Sequence, residues 1–194
     1  MIENEKLTVT DTINSFAYEG INIKNLADKM QVVSSGERII SNKEKPILAT
    51  TFTFSCTNVL FFCNDFAYLV HLNPAQAVGK NDFFKTILAE LEKIVNLSEL
   101  DNLNVLISLG HSSDEKQEKK FHDMNFIKES LKTFESENEI NLNLLPTQRS
   151  KYLLFDYRDG TLIIDGLKNK SSVAVLKNHN SSISDKNEVF KKGR

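Results

Sequence analysis

Two stretches of the chain, TFTFSCTNVLFF from Thr51 to Phe62 and FAYLVHL from Phe66 to Leu72, are dense in β-branched and aromatic residues. That is the composition of strands packing on a pleated surface, and the polar Asn64-Asp65 between them predicts a tight turn and one β-hairpin. NVLISLG, and the pair YLLFDY and TLIID joined through Arg158-Asp159-Gly160, read as further strands, the pair as a hairpin with an Asp-Gly turn. Elsewhere the period lengthens. Phe84, Ile87, Leu88, Leu91, Ile94 and Val95 recur at helical spacing, with Asn81 or Asp82 available to accept the first free amides. Phe121, Met124, Ile127, Leu131 and Phe134 repeat the pattern, and the charged run DEKQEKK before them reads as a solvated loop or first turn. Strands mixed with two helices predict an α+β layered domain.

The ends follow neither period. Residues 1–31 carry Ile13, Phe16, Tyr18, Ile21, Ile23 and Leu26, enough to pack but without a clean repeat, and are read as an N-terminal extension that could cover or shape a site. Residues 32–177 form the expected domain, and 178–194, polar and lysine-rich, read as a mobile tail. At 194 residues and 40% hydrophobic content the chain suffices for one substantial core. A formal charge of −2 with no basic patch interleaved with aromatics argues against a nucleic-acid partner. No apolar run of about 18 residues predicts a membrane span, and MIENEKLTVT does not read as a signal peptide. A cytoplasmic location is expected, and export as an effector by a signal-free route would leave no mark in the sequence.

Within the first hairpin, a two-residue Asn64-Asp65 loop sets Cys63 against Phe66, Asn58 against His71 and Cys56 against Asn73. Cys56 and His71 are then diagonal neighbours on one face, roughly 7 to 8 Å apart at the backbone. A three-residue loop would put them on opposite faces. A histidine beside a thiol can take its proton and make the nucleophilic thiolate available. The plain alternative is a small buried hydrophobe and an unrelated histidine. Cys63, seven residues further along the same expected strand, would point the other way, so no disulfide is expected. His71, His111, His122 and His179 lack the spacings of a zinc site, and no metal or cofactor is implied.

The run VVSSGERIISNKEKPILATTFTFSCTNVLFF followed by FAYLVHLNP resembles the CheD family of chemoreceptor glutamine deamidases. It carries Gly36-Glu37, Thr50, Ser55-Cys56, Val59 and His71-Leu72-Asn73-Pro74 in the family's order, and the likeness extends in pattern to about Asp165. The core is also similar to that of the cytotoxic necrotizing factor toxins. The resemblance implies two packed mixed β-sheets flanked by helices in α-β-β-α layers. It implies Cys56, His71 and Thr50 as catalytic residues, and Ser55 and Asn73 as oxyanion or supporting groups. It further implies conversion of a partner protein's glutamine to glutamate with loss of ammonia, without a cofactor, the partner being a chemoreceptor-like or host regulatory protein. In a straight strand from Thr50 to Cys56, about 20 Å long, Thr50 would act only through His71, and the sequence alone favours an ordinary strand residue. Two departures stand out: Phe54 occupies the family's glycine two residues before the nucleophile, and a later glycine pair is reduced to Gly110-His111. Phe54 favours an alternative, a binding module that keeps the deamidase scaffold without turnover and acts on a signalling protein by occupancy.

Overall fold

The computed structural model describes residues 6–18, 20–51, 53–77, 82–98, 100–110, 124–165 and 171–175. The expected tail 178–194, the charged run 114–120, Phe121, His111, His122 and His179 lie outside the described residues. The elements are α1 (Val9–Tyr18), a 3-10 turn (Lys24–Lys29), β1 (Met30–Val32), β2 (Arg38–Ile40), β3 (Ile47–Thr50), β4 (Thr57–Phe62), β5 (Ala67–Leu72), α2 (Pro74–Ala77), α3 (Phe83–Ser98), β6 (Asn102–Leu109), α4 (Met124–Glu137), β7 (Asn141–Leu144), β8 (Gln148–Arg149), β9 (Leu153–Asp156), β10 (Thr161–Asp165) and β11 (Ser171–Val175).

Strand alternation sorts these elements into four layers. One sheet runs β1-β3-β9-β10-β11 and the other β2-β5-β4-β6-β7, with β8 beside β6. Both are mixed, because β1 runs parallel to β3, and β6 parallel to β7 and β8. Between the sheets lie Leu48, Leu60, Phe62, Leu69, Leu106, Leu153, Phe155 and Leu162. Val59, Phe61, Tyr68, Val70, Val105 and Ile107 point the other way and pack on Phe84, Ile87 and Leu91 of α3 and Ile127, Leu131 and Phe134 of α4. The first sheet's outer face buries Ile47, Ala49, Leu154 and Ile163 against Phe16 of α1 and Ile23. Each side chain so buried contributes roughly 1.5 to 3 kcal/mol relative to exposure. The architecture is the expected α-β-β-α order of layers.

The N-terminal residues do more than their irregular pattern predicts. Thr8 Oγ1 accepts from the Asp11 amide at 3.1 Å, and Asp11 Oδ2 accepts from the Thr8 amide at 3.1 Å, a reciprocal cap that starts α1. The helix forms the outer layer on the first sheet.

Two expectations change. Thr51 to Phe62 is not one strand: the chain leaves the first sheet at Thr50, crosses, and enters the second at Thr57. The later hairpin turns through four residues, Tyr157 to Gly160, because Asp156 pairs with Thr161; Gly160 takes φ +72° and its amide donates to Asp156 O at 2.9 Å.

Candidate functional site

At one end of the sandwich the inter-sheet face turns from apolar to polar within a single step of two residues on each strand. Leu48 gives way to Thr50, Leu60 to Asn58 and then Cys56, Leu69 to His71, and Leu106 to Ser108. Three crossovers between the sheets meet here: 33–37 from β1 to β2, 51–56 from β3 to β4, and 150–152 from β8 to β9. Thr53 binds two of them together, its amide donating to Lys151 O at 3.1 Å and its hydroxyl to Ser150 O at 2.5 Å.

The first hairpin has the two-residue loop. The Cys63 amide donates to Phe66 O at 3.0 Å, and the register runs from Phe62 opposite Ala67 to Asn58 opposite His71 and Thr57 opposite Leu72. The ladder ends there, one step short of Cys56 and Asn73. The backbone of His71 faces away from β4, its amide donating to Glu37 O at 3.0 Å and its carbonyl accepting from Gly36 N at 2.7 Å. Asn58 and His71 are thus a non-hydrogen-bonded pair, the arrangement in which side chains approach most closely. Gly36 reaches that carbonyl with φ +83°, a conformation that favours glycine.

Thr50 Oγ1 lies 2.7 Å from His71 Nδ1 and donates its proton to Val33 O, also at 2.7 Å. A hydroxyl has one hydrogen, so Thr50 accepts from Nδ1–H, and the lone pair of the neutral imidazole sits on Nε2. Nε2 is buried and has no hydrogen-bond partner. His71 is 2% exposed, and burial pushes its pKa from 6.5 down to about 4, opposed by the Val33 carbonyl and the charge of Glu37.

Cys56 is 7% exposed and belongs to none of the three apolar clusters, whereas Cys63 packs into the one beneath α3. Both thiols are free. The nearest polar partner of Cys56 Sγ is the Ser35 hydroxyl at 3.5 Å. Burial raises the Cys56 pKa, and the Ser35 contact lowers it only in part. Burial of both groups thus works against the expected ionisation of the thiol by an adjacent ring. No hydrogen bond joins Sγ to Nε2, and burial disfavours the charged form of each group.

Of the residues singled out in the sequence, Thr50 and His71 are in direct contact, and Cys56 shares their face. Asn73 is occupied: its Oδ1 accepts from the Gln76 amide and its own amide donates to Gln76 Oε1, both at 3.0 Å, capping α2. Ser55 is part-exposed in the crossover, and among the described residues no hydrogen bond engages its amide or that of Cys56. Phe54 needs no glycine-like backbone, since Glu139 alone among the described non-glycine residues has positive φ. Its ring is 54% exposed.

The close approach falls instead at Gly110. A Cβ there would lie 1.8 Å from Thr53 O and 2.8 Å from the Phe54 carbonyl carbon, and the Gly110 amide donates to Cys56 O at 2.8 Å. The Cys56 crossover is laid directly on Gly110.

Two neighbours of the site were not named as site residues from the sequence, although the hairpin register had already set Asn58 opposite His71. Ser35 stands next to the glycine-acidic pair Gly36-Glu37, and Asn58 is two residues beyond Cys56 on the same face, a period-2 signal that was available. Beside the site, a groove of about 1050 Å³ runs between α1 and the crossover, lined among others by Lys6, Asp11, Tyr18, Thr51 and Phe54. The N-terminal segment is tied to the site's edge by the Leu7 amide, which donates to Ser34 Oγ at 2.9 Å. Among the described residues, no three His, Cys, Asp or Glu side chains converge as metal ligands, and no helix is long and apolar enough to cross a membrane.

The fold and this polar pole describe an α+β sandwich with a cysteine and a threonine-held histidine where its sheets exchange strands. No family model matches the chain, and no curated protein matches it. Among solved structures, the chain is similar to the Bacillus licheniformis hypothetical protein YfiH, at 10% identity over 76% of this chain and 74% of that one, with a TM-score of 0.38.

Proposed function

We propose that this protein is a cysteine amidohydrolase that converts a glutamine side chain of a partner protein into glutamate. The observation that carries the reading is the bond between Thr50 Oγ1 and His71 Nδ1, which leaves the ring's lone pair on an unpartnered Nε2, the atom a general base for Cys56 would use. The ordered likeness to the CheD deamidases at Gly36-Glu37, Thr50, Cys56 and His71 supports the same chemistry.

His71 Nε2 takes the thiol proton as Cys56 Sγ attacks the carboxamide carbon. The neutral resting pair makes this general-base catalysis concerted with attack, in place of a standing ion pair. The unengaged amides of Ser55 and Cys56 serve in this reading as donors to the developing oxyanion, each such donor being worth about 3 kcal/mol. The imidazolium returns its proton to the nitrogen, the C–N bond breaks and ammonia leaves. Water then adds to the thioester with His71 again as base, giving the carboxylate and restoring the thiol. The test is intact-mass analysis of candidate partner proteins incubated with wild type and with Cys56→Ser. A gain of about one dalton, the replacement of amide nitrogen by oxygen, is expected from wild type alone. Equal mass in both incubations, with no ammonia released, refutes it.

The absent Sγ to Nε2 bond and the raised thiol pKa favour a second reading, a CheD-like binding module without turnover that acts on a signalling protein by occupancy. A Cys56→Ser protein with undiminished biological effect would support it.

A further inference from the structure

Tyr18, Ile40, Phe54 and Leu144 are the large apolar side chains left exposed among the described residues. Two of them, Tyr18 at 90% and Phe54 at 54% exposure, line one feature, the groove of about 1050 Å³ between α1 and the 51–56 crossover. Exposed rings gathered in one concavity mark an interaction site, and aromatic side chains are enriched where proteins meet. The groove stands at the upper end of small-molecule pockets, roughly 300 to 1,000 Å³, a size that suits a length of polypeptide.

Both walls are fixed before any partner arrives. On one side Phe54 is carried by a crossover that Thr53 bonds to Ser150 O and Lys151 O. On the other, α1 is capped by Thr8 and Asp11 and seats Phe16 on Tyr152, with ring centroids 4.3 Å apart. Tyr152 also lines the groove, so this contact ties the two walls together, and a preformed cleft loses little freedom on binding.

Charge selects among occupants. The Asp11 carboxylate is engaged by the Thr8 amide at 3.1 Å and the Thr8 hydroxyl at 2.5 Å. Lys6 makes only a long, exposed contact with Glu37 at 3.7 Å, and no described residue pairs with the Lys151 ammonium. The open charge of the groove is therefore positive, in a chain whose formal total is −2.

We propose that this groove docks the segment of the substrate protein beside the reacting glutamine, and that the segment it takes carries an apolar residue and an acidic residue. The proposal rests on the reading of Cys56 and His71 given above. Phe54 is two residues from Cys56, so their Cα atoms are at most about 7 Å apart and a chain lying in the groove reaches the site from the crossover side. Packing on Tyr18 and Phe54 supplies affinity, and the charges of Lys6 and Lys151 supply choice among partners.

The test uses the full-length Cys56→Ser protein, so that binding is read without turnover, and three fluorescein-labelled peptides in a glycine-serine frame. Each has one glutamine, flanked on both sides by leucine and glutamate, by leucine and lysine, or by serine alone. Fluorescence anisotropy is expected to show the leucine-glutamate peptide binding about tenfold tighter than either other, with its margin over the lysine peptide shrinking as salt rises. In the same background, Lys6→Glu with Lys151→Glu should reverse the order of the glutamate and lysine peptides. Tyr18→Ser and Phe54→Ser should each weaken the leucine-glutamate peptide about tenfold, with unfolding by urea unchanged because both side chains are exposed. Equal or undetectable binding of all three peptides, a preference that survives the double lysine change, or indifference to both ring substitutions overturns the proposal. So does self-association of the protein that Phe54→Ser abolishes, which would assign the groove to a second copy. Wild type that binds the leucine-glutamate peptide as stated but releases no ammonia from it sinks the hydrolase reading and leaves the docking intact, whereas equal release from all three peptides does the reverse.

Discussion

His71 is buried as a neutral base, so acid should cost this fold stability through one identifiable ring. Its pKa is about 4 in the folded protein and 6.5 when solvated. Above 6.5 both states are neutral and burial carries no protonation penalty. As pH falls from 6.5 toward 4 the unfolded chain takes up a proton that the folded one refuses, and stability drops at about 1.4 kcal/mol per pH unit. Over that interval the loss from this residue comes to roughly 3 kcal/mol, and it levels off below pH 4. Other groups titrate in the same range, so the measurement is a difference. Urea unfolding of wild type and His71→Gln at half-unit steps from pH 7.5 to 4 should give curves that converge as pH falls, by about 3 kcal/mol in all. A direct check is ¹⁵N NMR of the ring, which should report the Nδ1–H tautomer and no titration near neutrality. Parallel stability curves, or a ring that titrates at 6.5, would refute both the burial and the tautomer assigned from Thr50.

Thr50→Val removes the acceptor for Nδ1–H and the donor to Val33 O; it should lower ammonia release on the order of 100-fold and stability by about 1 to 3 kcal/mol, while Thr50→Ser should rescue both, which enzyme assay and urea unfolding would check. Gly110→Ala places a methyl group 1.8 Å from Thr53 O, so the Cys56 crossover must move. A loss of about 3 kcal/mol in unfolding assays, together with loss of activity, is expected, and a stable, active variant would show that the crossover does not depend on that contact. Because burial raises the Cys56 thiol and Ser35 partly offsets this, iodoacetamide labelling followed by mass spectrometry should be slow at pH 7, accelerate above pH 9, and be slower still in Ser35→Ala.

The layered α+β core was legible because long runs with one period leave little choice: Phe84 to Val95 can only be a one-faced helix, and alternation along Val59 to Phe62 fixes which residues meet α3. The hairpin register was legible from two polar residues, and through it the common face of Cys56, Asn58 and His71. β1, β2 and β8 were not, since strands of two or three residues carry no period. α1 escaped for a different reason: its apolar positions are sparse, and the reciprocal cap of Thr8 and Asp11 was the better marker. The break between Thr50 and Thr57 was hidden by composition. Thr51, Thr53 and Phe54 are good strand formers, and only contacts distant in sequence, with Ser150, Lys151 and Gly110, pull them out of a ladder.

That crossover also bears on what a phenylalanine at position 54 means for turnover. A glycine before a nucleophile matters if the backbone there must adopt positive φ, and Phe54 has no such requirement. The tight contact is made from the other side, where Gly110 admits the Thr53–Phe54 peptide and its amide holds Cys56 O. Phe54 can therefore keep its ring in the groove beside α1 without disturbing the amides of Ser55 and Cys56. Replacing the residue then tests docking separately from chemistry. Phe54→Gly should leave the Asn58 and His71 ring resonances in place and weaken capture of a protein partner, whereas a collapse of those resonances would mean the ring supports the site itself.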